Sequence, residues 1–252
     1  MELKLAGKKV FVTGSTSGIG LAIAKKLQAY GCIVAINSRN KSSIEKVKNL
    51  FPKEVYGIAA DMSFEDQSKS AIRIFIDKYD SLDILICNVG SGKSVPPFTE
   101  KLKDWENSLS KNLLTATNTI SASLEYLEKT SGVITCISSI CGQKMIENAP
   151  LTYSSAKASL ESYVKNASFY LANKKIRINA ISPGNVLFNG SIWEKKLSQD
   201  PILIKEMLEK KVPLRKFVSV DDISEAVAFI SSPLSSSTTG QIITIDAGQT
   251  IA

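Results

Sequence analysis

The chain has 252 residues, of which 44% are hydrophobic, 22% charged and 7% aromatic, a balance that supports a buried core and is too apolar for disorder. Histidine is absent and the formal net charge is +7, from 31 basic against 24 acidic residues; this excludes serine–histidine triads, imidazole acid–base chemistry and most zinc-site patterns. No apolar run reaches the roughly 18 residues of a membrane-spanning helix. Met1 to Lys9 leads straight into an apolar strand pattern with no signal peptide, so a cytoplasmic location is expected.

In chain order, short β-rich runs at 9–13, 33–37, 55–60, 84–88, 133–138, 177–182 and 241–246 alternate with helical periodicity near 19–30, 42–51, 64–79, 104–129, 152–172 and 221–231. Strands apolar on both faces, joined by helical crossovers, predict an α/β fold: a doubly wound parallel sheet, Rossmann-like, of about seven strands with helices on both faces. No linker, repeat or low-complexity tract interrupts the alternation, so 1–252 reads as one domain. The irregular stretch at about 185–213, with an amphipathic piece around Ile192, Trp193 and Leu197, is expected to form a lid over a substrate site. Cys32, Cys87, Cys136 and Cys141 show no C-x-x-C spacing and are expected as reduced, mostly buried thiols. The lysines are scattered and lack the aromatic-interleaved stripe of a nucleic-acid binder.

Thr13-Gly14-Ser15-Thr16-Ser17-Gly18-Ile19-Gly20 joins the first strand to the first helix. Glycines there allow close backbone approach, and the helix N-terminus offers free N–H groups and a positive dipole end, which together make a pyrophosphate cradle. The second strand ends in Asn37-Ser38-Arg39-Asn40. An acid at this point would bind ribose hydroxyls and repel a 2′-phosphate; Ser38 and Arg39 can instead bind that phosphate, so NADP(H) is expected over NAD(H). Tyr153 and Lys157 lie four apart on a helix, where an ammonium can lower a phenol pKa from about 10 toward working pH. Tyr170 and Lys174 share that spacing, so the pattern gains meaning only from its company, Ser138-Ser139 and Asn112. Gly90-Ser91-Gly92-Lys93-Ser94 ends like a Walker A loop, but Cys87 stands where that loop needs glycine and Pro96-Pro97 block its helix. This segment is expected to wall the active-site mouth.

Gly14-x-x-x-Gly18-Ile19-Gly20, Asp61-Met62, Asn88-Val89-Gly90, Asn112, Ser139, Tyr153-x-x-x-Lys157 and Pro183-Gly184 follow one another at the spacing of classical short-chain dehydrogenases/reductases. The chain resembles that family over nearly its whole length, through Thr239-Gly240-Gln241 and Asp246-Ala247-Gly248, and most resembles its 3-oxoacyl-carrier-protein reductases and its sugar or polyol dehydrogenases. The resemblance implies interconversion of a ketone and a secondary alcohol with NADP(H). Tyr153 would be the acid/base, Lys157 would depress its pKa and hold the nicotinamide ribose, and Ser139 would hydrogen-bond the carbonyl oxygen. Asn112 would hold a water leading from Lys157 to solvent. Gly14, Ser17, Gly18, Ile19 and Gly20 would meet the pyrophosphate, Asp61 and Met62 the adenine, and Asn88 and Gly90 would line the groove; Pro183, Gly184 and Val186 would meet the nicotinamide end. The resemblance also implies a homo-oligomer, dimer or homotetramer, paired through the helices of Asn112 and Tyr153, acting on a small molecule. A catalytically silent dinucleotide sensor is the alternative. Two departures stand out: Val89 replaces a small residue, and Phe188 replaces a threonine common near the carboxamide. Leu187, Phe188, Ile192 and Trp193 suit an apolar acyl or steroid-like body, whereas Lys93, Lys101 and Lys103 suit an anionic one.

Overall fold

A computed structural model describes residues 2–251. The chain runs β1 (Lys9–Val12), α1 (Gly18–Ala29), β2 (Ile33–Ser38), α2 (Lys41–Lys48), β3 (Tyr56–Ala59), α3 (Glu65–Tyr79), β4 (Ile84–Cys87), α4 (Leu102–Leu109), α5 (Thr115–Thr130), β5 (Val133–Ile137), α6 (Leu151–Ala172), β6 (Arg177–Pro183), β7 (Val186–Leu187), α7 (Ile192–Gln199), α8 (Pro201–Lys211), β8 (Val218–Ser219), α9 (Val220–Ser231) and β9 (Ile242–Ile245). The main sheet has seven parallel strands in the order β3-β2-β1-β4-β5-β6-β9. The expected doubly wound α/β fold is the one observed. Its strand order reverses between β1 and β4, the switch point where such sheets bind ligands at their carboxyl ends.

Alternation along β1 shows how the sheet is sandwiched. Val10 and Val12 enter the core shared with α1 and α9, through Ile23, Leu27, Ile223 and Val227. Phe11 points the other way, into the core of α3, α5 and α6, with Phe75, Ile120, Leu127 and Leu160. The Phe11 and Phe75 rings meet at 5.6 Å between centroids. Strands β4 and β5 are buried at every residue, which is why they read as continuous apolar runs. Cys32, Cys87 and Cys136 are buried free thiols, as expected, and Cys141 is half-buried. Among the described residues, no helix is long and apolar enough to cross a membrane.

Two regions differ from the sequence expectation. The helix expected at 104–129 is α4 and α5 joined by a π-helical turn, Ser110–Leu114, with Asn112 at its centre. Such turns are common at functional sites, and no hydrophobic period announces them. The stretch 185–213 is more regular than expected. Strand β7 pairs in parallel with β8 as a separate ribbon. Ser191 caps α7 by accepting from Glu194 N at 3.0 Å, and Asp200 caps α8 by accepting from Leu203 N at 2.9 Å. Helix α7 buries no residue and α8 only Ile204.

The carboxyl edge is tied together by Asn37 at the end of β2. Its Nδ2 donates to Ile58 O (3.0 Å) and Ala60 O (3.1 Å), and its Oδ1 accepts from Gly14 N at 3.1 Å. Asn37 N donates to Ser15 Oγ at 2.9 Å. One buried amide thus fixes the glycine loop to β3. Asn37→Leu, similar in size but unable to hydrogen-bond, leaves these buried groups unpaired and should cost on the order of 3 kcal/mol. Urea unfolding should show a lower midpoint at an unchanged slope.

Candidate active site

Gly14 and Gly18 have φ of +59° and +52°, in the left-handed region that favours glycine. At Gly20 the constraint is space, since a Cβ would lie 2.3 Å from Asn88 Nδ2 and 2.5 Å from Gly14 O. Ser17 precedes α1 without capping it through its side chain. The first-turn N–H groups of Gly18, Ile19 and Gly20 are therefore left for another acceptor, an arrangement that fits a phosphate. Asn88 holds the loop from the β4 side: its Nδ2 donates to Thr13 O (3.1 Å) and Gly14 O (2.9 Å), and its N to Thr13 Oγ1 at 3.0 Å. Its amide is thus a brace behind the groove. Phe188 lies against the same loop, so close that a Cβ on Gly18 would come within 2.7 Å of its ring.

At the other end of the groove, Arg39 is 67% exposed and its Nη1 lies 4.0 Å from Asp61 Oδ2. Asp61 Oδ1 accepts from Ser63 N (3.0 Å) and Ser63 Oγ (2.7 Å). Ser38 Oγ accepts from Asn40 N at 3.4 Å. The side chain of Met62 is buried in the core beside α3, which leaves its backbone rather than its side chain for any adenine contact. Val186 is likewise buried in the core. Gly184 packs on β9's end, where a Cβ would lie 2.8 Å from Asp246 Cα. Pro183 beside it is buried.

Helix α6 brings the chemistry together. Tyr153 lies in its first turn and Lys157 one turn on. Gly142 allows the short 3₁₀ turn Ile140–Gly142 to press on α6, because a Cβ there would lie 2.8 Å from Lys157 C. Ser139, just before that turn, faces the Tyr153 phenol closely enough to act on its titration. Its neighbour Ser138 turns away and donates to Glu161 Oε1 at 2.8 Å. Burial pushes the Tyr153 phenol up to about 12, and Ser139 works against this rise. Burial pulls Lys157 down to about 8, opposed by Cys136, Glu161 and Cys141.

Lys157 Nζ donates to Ile137 O at 2.7 Å, and the group that draws the phenol down is Ser139. A buried ammonium must find acceptors, and the last carbonyl of β5 is within reach. Asn112 is braced by protein groups. Its Oδ1 accepts from Ser91 N at 2.8 Å, and its Nδ2 donates to Ser91 O (3.1 Å) and Ser108 O (3.0 Å). The amide is occupied in fixing the 91–94 loop. Gly90 lies between the two residues, since a Cβ there would be 3.0 Å from Asn112 Oδ1 and 3.1 Å from Lys157 Nζ. The loop does line the site: Ser94 Oγ meets Thr152 Oγ1 at 2.7 Å, and a Cβ on Gly92 would lie 3.9 Å from the Tyr153 ring. Sequence reasoning missed Glu161 and Asn37. Position 161 carried a signal, being an acid one helical turn after Lys157.

Among the described residues, no group of three or more His, Cys, Asp or Glu side chains could hold a metal ion. The arrangement can give a proton from a neutral phenol to an oxygen that a serine hydroxyl also holds, beside a glycine loop whose free N–H groups fit a phosphate.

Comparisons with known proteins agree with this geometry. A family model described as enoyl-(acyl carrier protein) reductase matches residues 14–250. The 3-oxoacyl-acyl-carrier-protein reductase FabG of Aquifex aeolicus is 32% identical over 254 residues, covering 98% of this chain and 99% of that one. A tropinone reductase homolog of Arabidopsis thaliana is 31% identical over 262 residues, covering 98% and 94%. A solved 7α-hydroxysteroid dehydrogenase, complexed with NADH and 7-oxo glycochenodeoxycholic acid, superposes with a TM-score of 0.89 at 27% identity, covering 98% and 96%. The glycine loop at the sheet's switch point, the cluster of Ser139 with Tyr153 and Lys157 of α6, and these matches over nearly the whole chain make it an oxidoreductase of the short-chain dehydrogenase/reductase family.

Proposed function

We propose that this protein is an NADP(H)-dependent reductase of ketones to secondary alcohols, of the 3-oxoacyl-thioester type. The observation that carries the reading is the Tyr153 phenol, kept neutral by burial, facing Ser139 and set one helical turn from buried Lys157. The bound dinucleotide would supply the hydride. Gly18, Ile19 and Gly20 would hold its phosphates, and Ser38 and Arg39 the 2′-phosphate. Ser139 would orient the carbonyl oxygen and stabilise its developing charge, while Tyr153 would deliver the proton. Lys157 would favour phenolate formation as the proton leaves.

The thioester assignment draws on relatives near 30% identity that bear that name, with exposed Ile192 at the start of α7 as a candidate apolar contact. Residues 1–252 would act as one domain, the segment about 185–213 as the lid, and the chain as a cytoplasmic homo-oligomer.

NADPH should bind more tightly than NADH, as read by quenching of protein fluorescence. Arg39→Ala should weaken NADPH about 10- to 100-fold and NADH less than about threefold, the loss of a charge-assisted hydrogen bond to phosphate. Equal losses for both cofactors would rule out the 2′-phosphate role.

Turnover should be followed at 340 nm with 3-oxoacyl thioesters, sugars and cyclic ketones. Tyr153→Phe should retain NADPH affinity and lower kcat by about 10²- to 10⁴-fold. The pH dependence has a definite sign. Reduction needs the phenol protonated, which holds up to about 12, and Lys157 charged, which holds up to about 8. The kcat/KM for reduction should therefore fall above about pH 8, through Lys157. Alcohol oxidation, which needs the phenolate, should gain relative to reduction as pH rises.

A further inference from the structure

Glu161 is a buried carboxylate for which the proton transfer has no use, only 5% exposed. It lies one helical turn beyond Lys157 on α6, on the side away from Tyr153. Its Oε1 accepts from Ser138 Oγ (2.8 Å) and Gln143 Nε2 (3.4 Å), and Gln143 Oε1 accepts in turn from Thr244 Oγ1 at 3.0 Å. The chain of contacts joins the end of β5, the turn after it, α6 and β9. Hydrogen bonds alone would make it a strut, a task that an amide could perform.

Burial of charge argues for more. Lys157 is 3% exposed, and its single protein hydrogen bond, to Ile137 O, brings a dipole but no counter-charge. A buried ammonium without a counter-ion gives up its proton readily. The titratable groups that act on Lys157 from the elements around it are Cys136 on β5, Cys141 on the 3₁₀ turn and Glu161 on α6, with Tyr153 one turn back on the same helix. Glu161 is the one carboxylic acid among them.

We propose that Glu161 is a positioning residue, the buried counter-charge that holds Lys157 in its ammonium form. The proton-transfer site would then be charged from behind, by a group that touches neither substrate nor cofactor. Ser138 would serve by fixing that carboxylate, which explains why two adjacent serines face opposite ways. The inference rests on Lys157 acting in the reductase, but its test requires neither turnover nor cofactor.

The measurement is the titration of Lys157 in the full chain by NMR of ¹³Cε-labelled lysine, with the resonance assigned by Lys157→Met. In the native protein the midpoint should lie near 8. Glu161→Gln keeps the shape and can still accept from Ser138, so it should fold and lower the midpoint by about one unit or more. Glu161→Asp keeps the charge and should stay near the native midpoint, whereas Glu161→Met, neutral and without hydrogen bonds, should shift like Glu161→Gln. With a turnover assay in hand, the alkaline limb of kcat/KM should move down by the same amount in Glu161→Gln. A Glu161→Gln protein with a lowered Tm but a native Lys157 titration would overturn the proposal and leave Glu161 a strut. A shifted titration without turnover on any ketone would uphold it while removing the reductase reading.

Discussion

A parallel sheet can only be built by carrying the chain from the carboxyl end of one strand back to the start of the next, and the whole site follows from that constraint. It places the ends of β1, β2, β4 and β5 on one edge, together with the first turns of α1 and α6. Helix N-termini and strand carbonyls then face one groove. The N-terminus of α1 is left uncapped by Ser17, while the last carbonyl of β5 takes the ammonium of Lys157. Binding and proton chemistry share an edge because the topology leaves both kinds of unpaired backbone group there.

Polar groups gathered at such an edge must be satisfied before they can be useful. Thr13, Asn37 and Asn88 do this for the glycine loop, so its conformation is set before any ligand arrives. Asn112, at the π-helical turn, does the same for the loop at Ser91. On α6 the balance is chemical as well as structural. Burial keeps Tyr153 a proton donor and weakens Lys157 as a cation; Ser139 opposes the first effect, and Cys136, Glu161 and Cys141 oppose the second.

Much of this could be read from the sequence, and the boundary of legibility is physical. The opposed faces of β1 gave the sheet its helices on both sides, and the strand–glycine–helix order of 9–20 located the cradle. Four-residue spacing placed Tyr153 and Lys157 on one face of α6, but spacing says nothing of which acceptor a buried Nζ will choose. Ile137 O is a tertiary neighbour, supplied by the packing of α6 on β5. Met62 and Val186 carry their side chains in the core, which leaves the backbone for the ligand contacts expected of them, a matter of side-chain direction that a motif does not encode. The amphipathic piece at Ile192, Trp193 and Leu197 announced α7 only in outline and nothing announced α8, because both bury so little, although Ser191 with Glu194, and Asp200 with Pro201, are helix-start signals that stood in the sequence.

The most direct test of hydride chemistry at this edge is a single-turnover reaction with NADPH carrying deuterium at both C4 positions and a 3-oxoacyl thioester, with the product analysed by mass spectrometry. The account predicts one deuterium on the carbinol carbon and a primary isotope effect on the 340 nm decay. Binding of the deuterated cofactor with no deuterium reaching any carbonyl substrate would contradict it, and would make the protein a dinucleotide sensor.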